Sequence, residues 1–365
     1  KILLLSDPNS PHTIKWACSL AESGIKVKVF GFSALNVSEY DRNLNVSVTT
    51  LNQNIKRNES ILFKLKYLKS IPVVKKIIQE YSPDIVQAHL ASSYGIVGAL
   101  SNFKPFILSV WGYDIYNFPR ISFLHKYVIR YNLKMASKIL STSEAMAKET
   151  SFYTNKSIEI TPFGINLEQF KPFYIKSIFD QNDIVIGTIK ALEKKYGVKY
   201  LLKAFKIVID RHPHLPLKLL VVGDGSLKDN LHQLARNLEI ENRVIFTGKI
   251  PYSKVAEYYN MLDIYVAVSI EHSESFGVAV IEASACEKPV VVSNVGGLPE
   301  VVEDKVTGFI VPPKDSEKTA DAIEKLIIDK SLAKKMGQAG RIRVTNKFNW
   351  QNNVDQMISI YNSVL

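Results

Sequence analysis

The sequence predicts an α/β protein built as two doubly wound domains, and three observations carry that reading. Short apolar runs typical of buried parallel strands alternate with helical stretches along the chain. At 365 residues the chain is long enough for two domains of ordinary size. Residues 167–182, with Pro172 and scattered charges, read as a linker, after which a new strand opens at Asp183.

In the first half, Lys1 to Ser6 reads as a buried strand and Asp7 to His12 as a loop. The helix that follows carries Trp16, Leu20 and Ala21 on one face and closes at Gly24, and Lys26 to Phe30 is the next strand. Strand, loop, helix, strand opens a doubly wound domain, whose ligands sit beyond the carboxyl ends of the strands. Asn43–Thr50, Asp84–His89, Ile107–Val110 and Lys138–Ser143 are further strands. The third of these runs into Trp111-Gly112-Tyr113-Asp114, where Asp114 reads equally as a helix cap or as a polar contact for a ligand. Ser143 caps the next helix, with Glu144 in its first turn.

In the second half, Asp183–Gly187 is a strand and Leu217–Val222 another, which runs into Gly223-Asp224-Gly225-Ser226. Val244–Gly248 is followed by Lys249-Ile250-Pro251, and Asp263–Ser269 leads into Glu271–Val302. Gly308–Val311 is a short strand, 316–329 and 331–346 are helices, and 350–365 has helical apolar spacing.

Composition narrows the class. A hydrophobic content of 46% with 22% charged residues is that of a soluble globular protein. No apolar run nears the 18 or so residues of a membrane span. Cys18 and Cys286 sit in apolar helical surroundings, as reduced packing residues do, with no zinc spacing. No signal peptide is visible, and the expectation is a cytoplasmic protein. The net charge is +11, of which roughly +9 falls on residues 1–165. There, residues 54–80 interleave Lys56, Arg57, Lys64, Lys66, Lys69, Lys75 and Lys76 with an apolar helical pattern. Two readings stand for it. One is a core-facing helix with a wet basic face. The other is a surface, through 56–76, that docks on anionic lipid and makes the protein peripheral to a membrane. Nucleic acid is not expected, because aromatics do not cluster with these basic residues in a binding motif.

The stretch Glu271–Val302 holds two carboxylates, Glu274 and Glu282, eight positions apart. Eight residues of helix rise about 12 Å, whereas a hydrolytic acid–base pair wants roughly 5–9.5 Å. A helix starting near Ser275-Phe276-Gly277 leaves Glu274 in the loop before it and Glu282 on its second turn. Backbone N–H groups at such a start favour an anion. The spacing fits two carboxylates gripping hydroxyls at separate parts of one ligand, with a phosphate between them. From spacing alone, an acidic residue at the helix amino end with a surface glutamate on an ordinary helix is the simpler reading.

This stretch resembles the signature of the retaining glycosyltransferases of family 4, which have the GT-B fold. The matching residues are Glu274, Phe276, Gly277, Glu282, Ala283, Pro289, Val290, Val291, Gly296, Gly297 and Glu300. The resemblance covers nearly the whole chain and is most specific over 185–311. It implies two Rossmann-like domains facing across a cleft: an acceptor-side domain, 1–168, and a nucleotide-sugar domain, 169–347, with a helix at about 348–365 packing back on the first. It implies transfer of a sugar from a nucleotide-sugar donor, UDP being the most frequent, to a hydroxyl acceptor such as a glycan or lipid-linked glycan, in cell-surface polysaccharide or glycolipid synthesis.

By the same resemblance, Lys190 and Lys195 stand where the family holds the donor diphosphate with an arginine and a lysine, and Tyr196 is inserted before Gly197. Glu274 would bind the donor sugar and Glu282 the ribose. Ser275, Phe276, Gly277 and Val278 would offer backbone groups, and Gly223, Gly225, Lys249 and Ile250 lie in donor-side turns. His12, His89, Trp111 and Asp114 fall on the acceptor side, with Trp111 where many members have a histidine. The glycine pair common in the family's first loop is missing at Ser10-Pro11. No Asp-x-Asp occurs, so neither a metal nor any other cofactor is expected. The competing readings are a nucleotide-sugar epimerase on the same fold and a binding module that has lost transfer.

Overall fold

The computed structural model describes residues 1–52 and 67–365. The chain divides into two compact units, the first made of Lys1–Pro162 with Gln351–Leu365 and the second of Phe163–Trp350.

The first unit runs β1 (Ile2–Leu5), α1 (Pro11–Glu22), β2 (Val27–Gly31), β3 (Val46–Thr50), α2 (Ile71–Tyr81), β4 (Ile85–His89) and α3 (Ser93–Ser101). It continues with β5 (Phe106–Val110), α4 (Tyr113–Tyr116), α5 (Phe123–Met135), β6 (Lys138–Ser141), α6 (Glu144–Ser151) and β7 (Ile158–Ile160). Its sheet is parallel in the order β3-β2-β1-β4-β5-β6-β7. The strand order reverses between β1 and β4, where Ile2 registers with Ile85 and Leu5 with Ala88. Both faces of these strands are covered, so β1, β4 and β5 are buried along their whole length, as their unbroken apolar runs require.

The second unit runs β8 (Ile184–Ile189), α7 (Val198–Arg211), β9 (Leu217–Val222), α8 (Lys228–Asn237), β10 (Val244–Gly248), α9 (Val255–Asn260) and β11 (Ile264–Ala267). Then come α10 (Val278–Ala285), β12 (Val290–Ser293), α11 (Leu298–Val301), β13 (Gly308–Val311), α12 (Ser316–Ile328) and α13 (Lys330–Lys347), after which α14 (Trp350–Asn362) returns the chain to the first unit. Its sheet is parallel in the order β10-β9-β8-β11-β12-β13, reversing between β8 and β11. Leu201, Leu202, Phe205 and Val208 on one face of α7 pack over the strand residues Leu217, Leu219 and Val221 in one buried cluster.

The division between the units falls six residues earlier than the expected 168. Phe163 packs edge-on to Phe276, and Ile165 bridges to Asn349, so the turn after β7 is held by the second unit. The stretch read as a linker is also anchored: Phe170 is fully buried against Tyr252 and Tyr259. From Gln351 onward α14 belongs to the first unit, where Asn353 donates to the Pro162 carbonyl, Gln356 to that of Ile160 at 2.9 Å, and the Tyr361 hydroxyl to Gln87.

Residues 56–66 of the basic segment lie outside the described residues. At its described end, α2 buries Val74 and Ile77 while Lys69, Lys75 and Lys76 are exposed. That end is a core-facing helix with a wet basic face. No helix among the described residues is long and apolar enough to cross a membrane.

Candidate functional site

The carboxyl ends of β8 to β12 gather the second unit's candidate residues. Lys190 follows β8, Gly223 follows β9, Lys249 and Ile250 follow β10, Glu274 lies beyond β11 and Gly296 beyond β12. Lys190 and Glu274 flank the reversal of strand order, where the loops on either side diverge and leave room for a ligand.

Lys190 and Glu274 meet. The Lys190 ammonium donates to both oxygens of Glu274, at 3.1 and 3.0 Å, and the side chains are 12% and 10% exposed. The Ser269 hydroxyl donates to the same carboxylate at 3.2 Å. Burial by itself would lower the Lys190 pKa. The Glu274 carboxylate, with Tyr265 and Tyr196, outweighs it, and the net value lies above the ordinary lysine range. Lys190 is therefore a fixed cation at neutral pH. Tyr196, the inserted residue, lies between the two lysines: its ring centroid is 4.8 Å from the Lys190 nitrogen and 4.6 Å from that of Lys195.

The loops are locked by backbone contacts. Ile270 donates its N–H to the Lys195 carbonyl at 2.8 Å, tying the lysine loop to the end of β11. Gly297 donates to the Glu274 carbonyl at 2.9 Å. Gly296 has φ +52°, and a Cβ there would sit 2.0 Å from the Glu274 carbonyl oxygen, so the double glycine lets the next turn press against the Glu274 loop. The turn after β9 does the same on the other side: Gly223 has φ +141°, and a Cβ there would meet the Lys190 carbonyl oxygen at 1.9 Å. The Leu192 N–H is then accepted by the Asp224 carbonyl at 2.9 Å, and Gly225 packs against the Leu192 backbone.

Helix α10 begins as the spacing predicts. Gly277 is its N-cap, Glu274 lies in the loop before it and Glu282 on its second turn. The Phe276 ring is buried against Phe163 and Phe348. First-turn amides have no intrahelical acceptor.

Glu282 is buried, and two tyrosines that the sequence reading missed hold it: Tyr252 donates to Oε1 and Tyr259 to Oε2, each at 2.9 Å. Burial, and then the Glu282 carboxylate, pushes both phenol pKa values up, so both hydroxyls stay protonated and donate. No local signal marks these residues. They lie 30 and 23 positions away from Glu282, on the segment after β10.

In the first unit, His12, His89 and Trp111 come together at the carboxyl ends of β1, β4 and β5. The Trp111 ring lies 4.2 Å from that of His89 and 5.8 Å from that of His12, edge-on to the latter. His89 Nδ1 is 3.0 Å from the Ser6 hydroxyl, which pairs with Thr13 at 2.7 Å. Burial, with His12 nearby, lowers the His89 pKa to about 3, and burial, then Lys15, lowers that of His12 to about 4. Both are neutral at physiological pH. His12 is in the first turn of α1 and not in the loop expected before it, because Pro11 stands at the helix start, where a missing N–H costs nothing. Asp114 lies inside the first turn of α4, whose N-cap is Gly112, and its carboxylate accepts from the backbone N–H of Ala91 at 2.6 Å, Gly112 at 2.8 Å and Trp111 at 3.2 Å, holding the Trp111 turn to the end of β4.

Two parallel sheets of this kind, with one buried lysine–glutamate pair at a strand-order reversal, are the architecture of a GT-B glycosyltransferase. The comparisons agree. The model for glycosyl transferases group 1 matches residues 171–343, and that for glycosyl transferase 4-like proteins matches residues 1–143. N-acetyl-alpha-D-glucosaminyl L-malate synthase of Bacillus anthracis is 30% identical over 80% of this chain and 77% of its own length. A capsular polysaccharide biosynthesis glycosyltransferase of Staphylococcus aureus is 31% identical over 65% of this chain and 62% of its own length. The structure of Anabaena HepE in complex with UDP has the same fold, with a TM-score of 0.80 at 22% identity over all of both chains. The chain belongs to the group 1 glycosyltransferases of family 4.

Proposed function

We propose that this chain transfers a sugar from a UDP-sugar donor to a hydroxyl acceptor with retention at the anomeric carbon. The observation that carries the donor half is the Lys190–Glu274 pair at the strand-order reversal, with Lys195 beside it. In this reading Lys190 and Lys195 take the diphosphate, Glu274 the sugar hydroxyls, the backbone of Ser275–Val278 the phosphate edge, and Glu282 the ribose diol. A carboxylate has about four acceptor sites. The Tyr252 and Tyr259 hydroxyls occupy one site on each oxygen and orient the carboxylate. Gly223, Gly225, Lys249 and Ile250 shape the same end of the sheet.

As the bond from the anomeric carbon to the phosphate oxygen breaks, negative charge grows on that oxygen. Fixed cations in a site shielded from water stabilise it without reorganising. The new bond from the acceptor oxygen to the anomeric carbon forms on the face the phosphate leaves, and the acceptor proton passes to the departing phosphate. No metal is needed to carry that charge, because the two lysines carry it.

The His12, His89 and Trp111 cluster is the acceptor side. Its neutral imidazoles and indole suit a sugar face or hydroxyls better than a second phosphate. The acceptor class is a growing cell-surface polysaccharide or a lipid-linked glycan. Support comes from the relative whose printed activity is in capsular polysaccharide biosynthesis. UDP as the nucleotide is supported by the bound UDP of the Anabaena protein.

A thermal-shift panel of nucleoside diphosphate sugars tests the donor assignment, since binding raises native stability by RT ln(1 + [L]/Kd). A shift with UDP-sugars that Lys195→Ala removes is expected. Shifts only with non-UDP donors would overturn the choice of base, and none with any donor would overturn the site.

A further inference from the structure

We infer that Arg343 is a positioning residue for transfer: from one end of α11 it holds Glu274 in place at the other. The inference rests on the donor reading above, in which Glu274 meets the sugar. The last four carbonyls of any helix lack an intrahelical partner, and α11 has only four residues. The Arg343 guanidinium, carried on α13, takes two of these carbonyls. Nη2 donates to that of Glu300 at 2.9 Å and Nε to that of Val301 at 3.3 Å. Nη1 also reaches the Glu303 carboxylate at 3.3 Å. Glu303 is 56% exposed against 17% for Arg343, so that ion pair is the wet side of the contact and the carbonyl bonds are the buried side.

The amino end of the same turn meets Glu274. Gly297 is its N-cap, and the Gly297 N–H donates to the Glu274 carbonyl at 2.9 Å. A Cβ on Gly297 would lie 2.4 Å from the Ser275 carbonyl oxygen, just as one on Gly296 would overlap that of Glu274. A single turn of about 6 Å separates the two contacts, so a rotation at the Arg343 end is passed to the Glu274 loop. Leu298 and Val301 are buried, and a Cβ on Gly277, the N-cap of α10, would meet Leu298 at 2.7 Å. That apolar contact is non-directional and fixes how deep the turn sits, not how it is rotated. The planar guanidinium fork supplies the direction.

Helix α13 is built to deliver this side chain. Met336, Gly337, Gly340 and Val344 form its buried face. Arg343 follows Met336 by seven positions and Gly340 by three, which sets it at the edge of that face. The glycines let α13 lie against the end of α10: a Cβ on Gly337 would be 2.0 Å from the Glu287 carbonyl oxygen, and one on Gly340 would be 3.3 Å from the Ser284 side chain. Two positions before Arg343, Arg341 donates to the Ala285 carbonyl at the carboxyl end of α10. One helix thus caps the far ends of both helices whose near ends flank Glu274. Arg211 in the same unit shows a different use of arginine, with its guanidinium paired to the carboxylates of Glu317, Asp321 and Glu324 on α12.

The test is deuterium uptake of the whole chain by mass spectrometry, with transfer read as UDP release from the UDP-sugar that the thermal-shift panel selects. Arg343→Ala is expected to speed uptake over 271–278 as well as over 298–303, and to cut UDP release at least about tenfold, with UDP affinity unchanged. Arg343→Lys keeps a cation without the fork. It should recover part of both losses, and it carries the test if the alanine variant does not fold. In the Glu274→Gln background Arg343→Ala should cause no further loss, as two residues acting through one contact do not add. Arg211→Ala is the control and should lower the melting temperature without lowering UDP release. The inference is overturned if uptake rises only over 298–303, if the losses of Glu274→Gln and Arg343→Ala multiply, or if Arg211→Ala cuts release as much as Arg343→Ala. Wild-type UDP release by Glu274→Gln, with 271–278 still loosened by Arg343→Ala, would overturn the donor reading and leave the link from Arg343 to Glu274 standing.

Discussion

The Lys190 ammonium bonds both carboxylate oxygens of Glu274, across 84 residues of sequence, with both side chains largely buried. Two residues assigned to different parts of one donor are thus in contact with each other. Removing one partner of a buried pair leaves the other charge uncompensated, at a cost of about 3–5 kcal/mol. Lys190→Ala is expected to lower the melting temperature of the second unit and to reduce transfer by at least about 100-fold. Lys195→Ala, which loses only a half-exposed contact with the Tyr196 ring, should reduce transfer while leaving the melting temperature in place. Calorimetry and initial rates on the two variants check this, and equal stability losses would refute the difference.

This pair was the part of the site hardest to read in the sequence. Lys190 and Glu274 could be singled out as charges in loops, but only the order β8 next to β11 makes them neighbours, and strand order is not written in either segment. What is local was legible. Leu217–Val222 and Gly308–Val311 are strands with the expected bounds, and Ser143 accepts from the Met146 N–H as an N-cap should. The helix start between Glu274 and Glu282 is where glycine and spacing put it. The tyrosines on Glu282, the burial of Phe170 and the spending of Asp114 on backbone amides all depend on chain segments that meet only in three dimensions.

Tyr259 and Tyr252 both hold Glu282, but with unequal consequences. Tyr259 is fully buried, so Tyr259→Phe leaves one carboxylate oxygen without a donor where water does not reach, costing about 1–3 kcal/mol. Tyr252 is partly exposed and water can replace its hydroxyl. The expected pattern is a lower melting temperature for Tyr259→Phe, and a raised donor KM with smaller change in kcat for both. Denaturation and donor saturation curves would show it.

The double glycine makes a steric prediction. At Gly296 a methyl group would overlap the Glu274 carbonyl, and φ +52° disfavours any side chain. Gly296→Ala should cost more than about 1 kcal/mol of stability and cut transfer by over tenfold through displacement of Glu274. A variant with wild-type kinetics would show that the turn does not position that residue.

The buried histidines give the first unit an acid limit. Their folded pKa values, about 4 for His12 and about 3 for His89, lie below the unfolded value near 6.5. Between those limits the unfolded chain binds more protons, so stability is full above about pH 6.5 and falls as pH drops toward 4, at up to about 1.4 kcal/mol per pH unit for each histidine. Thermal unfolding of the whole chain from pH 7 to 4 should show this slope, and His89→Gln should make it shallower. An unchanged slope in the variant would assign the acid sensitivity elsewhere.

If Glu274 grips the donor sugar while the lysines hold its diphosphate, Glu274→Gln separates transfer from nucleotide binding. The amide keeps the size of the side chain and an acceptor for Lys190 but loses the charge. UDP affinity by calorimetry and transfer by release of UDP from a UDP-sugar with acceptor present are measured on the same preparation. UDP affinity is expected within about threefold of the wild type, and transfer lowered by at least about 100-fold. Transfer at the wild-type rate with UDP still bound would contradict that role for Glu274.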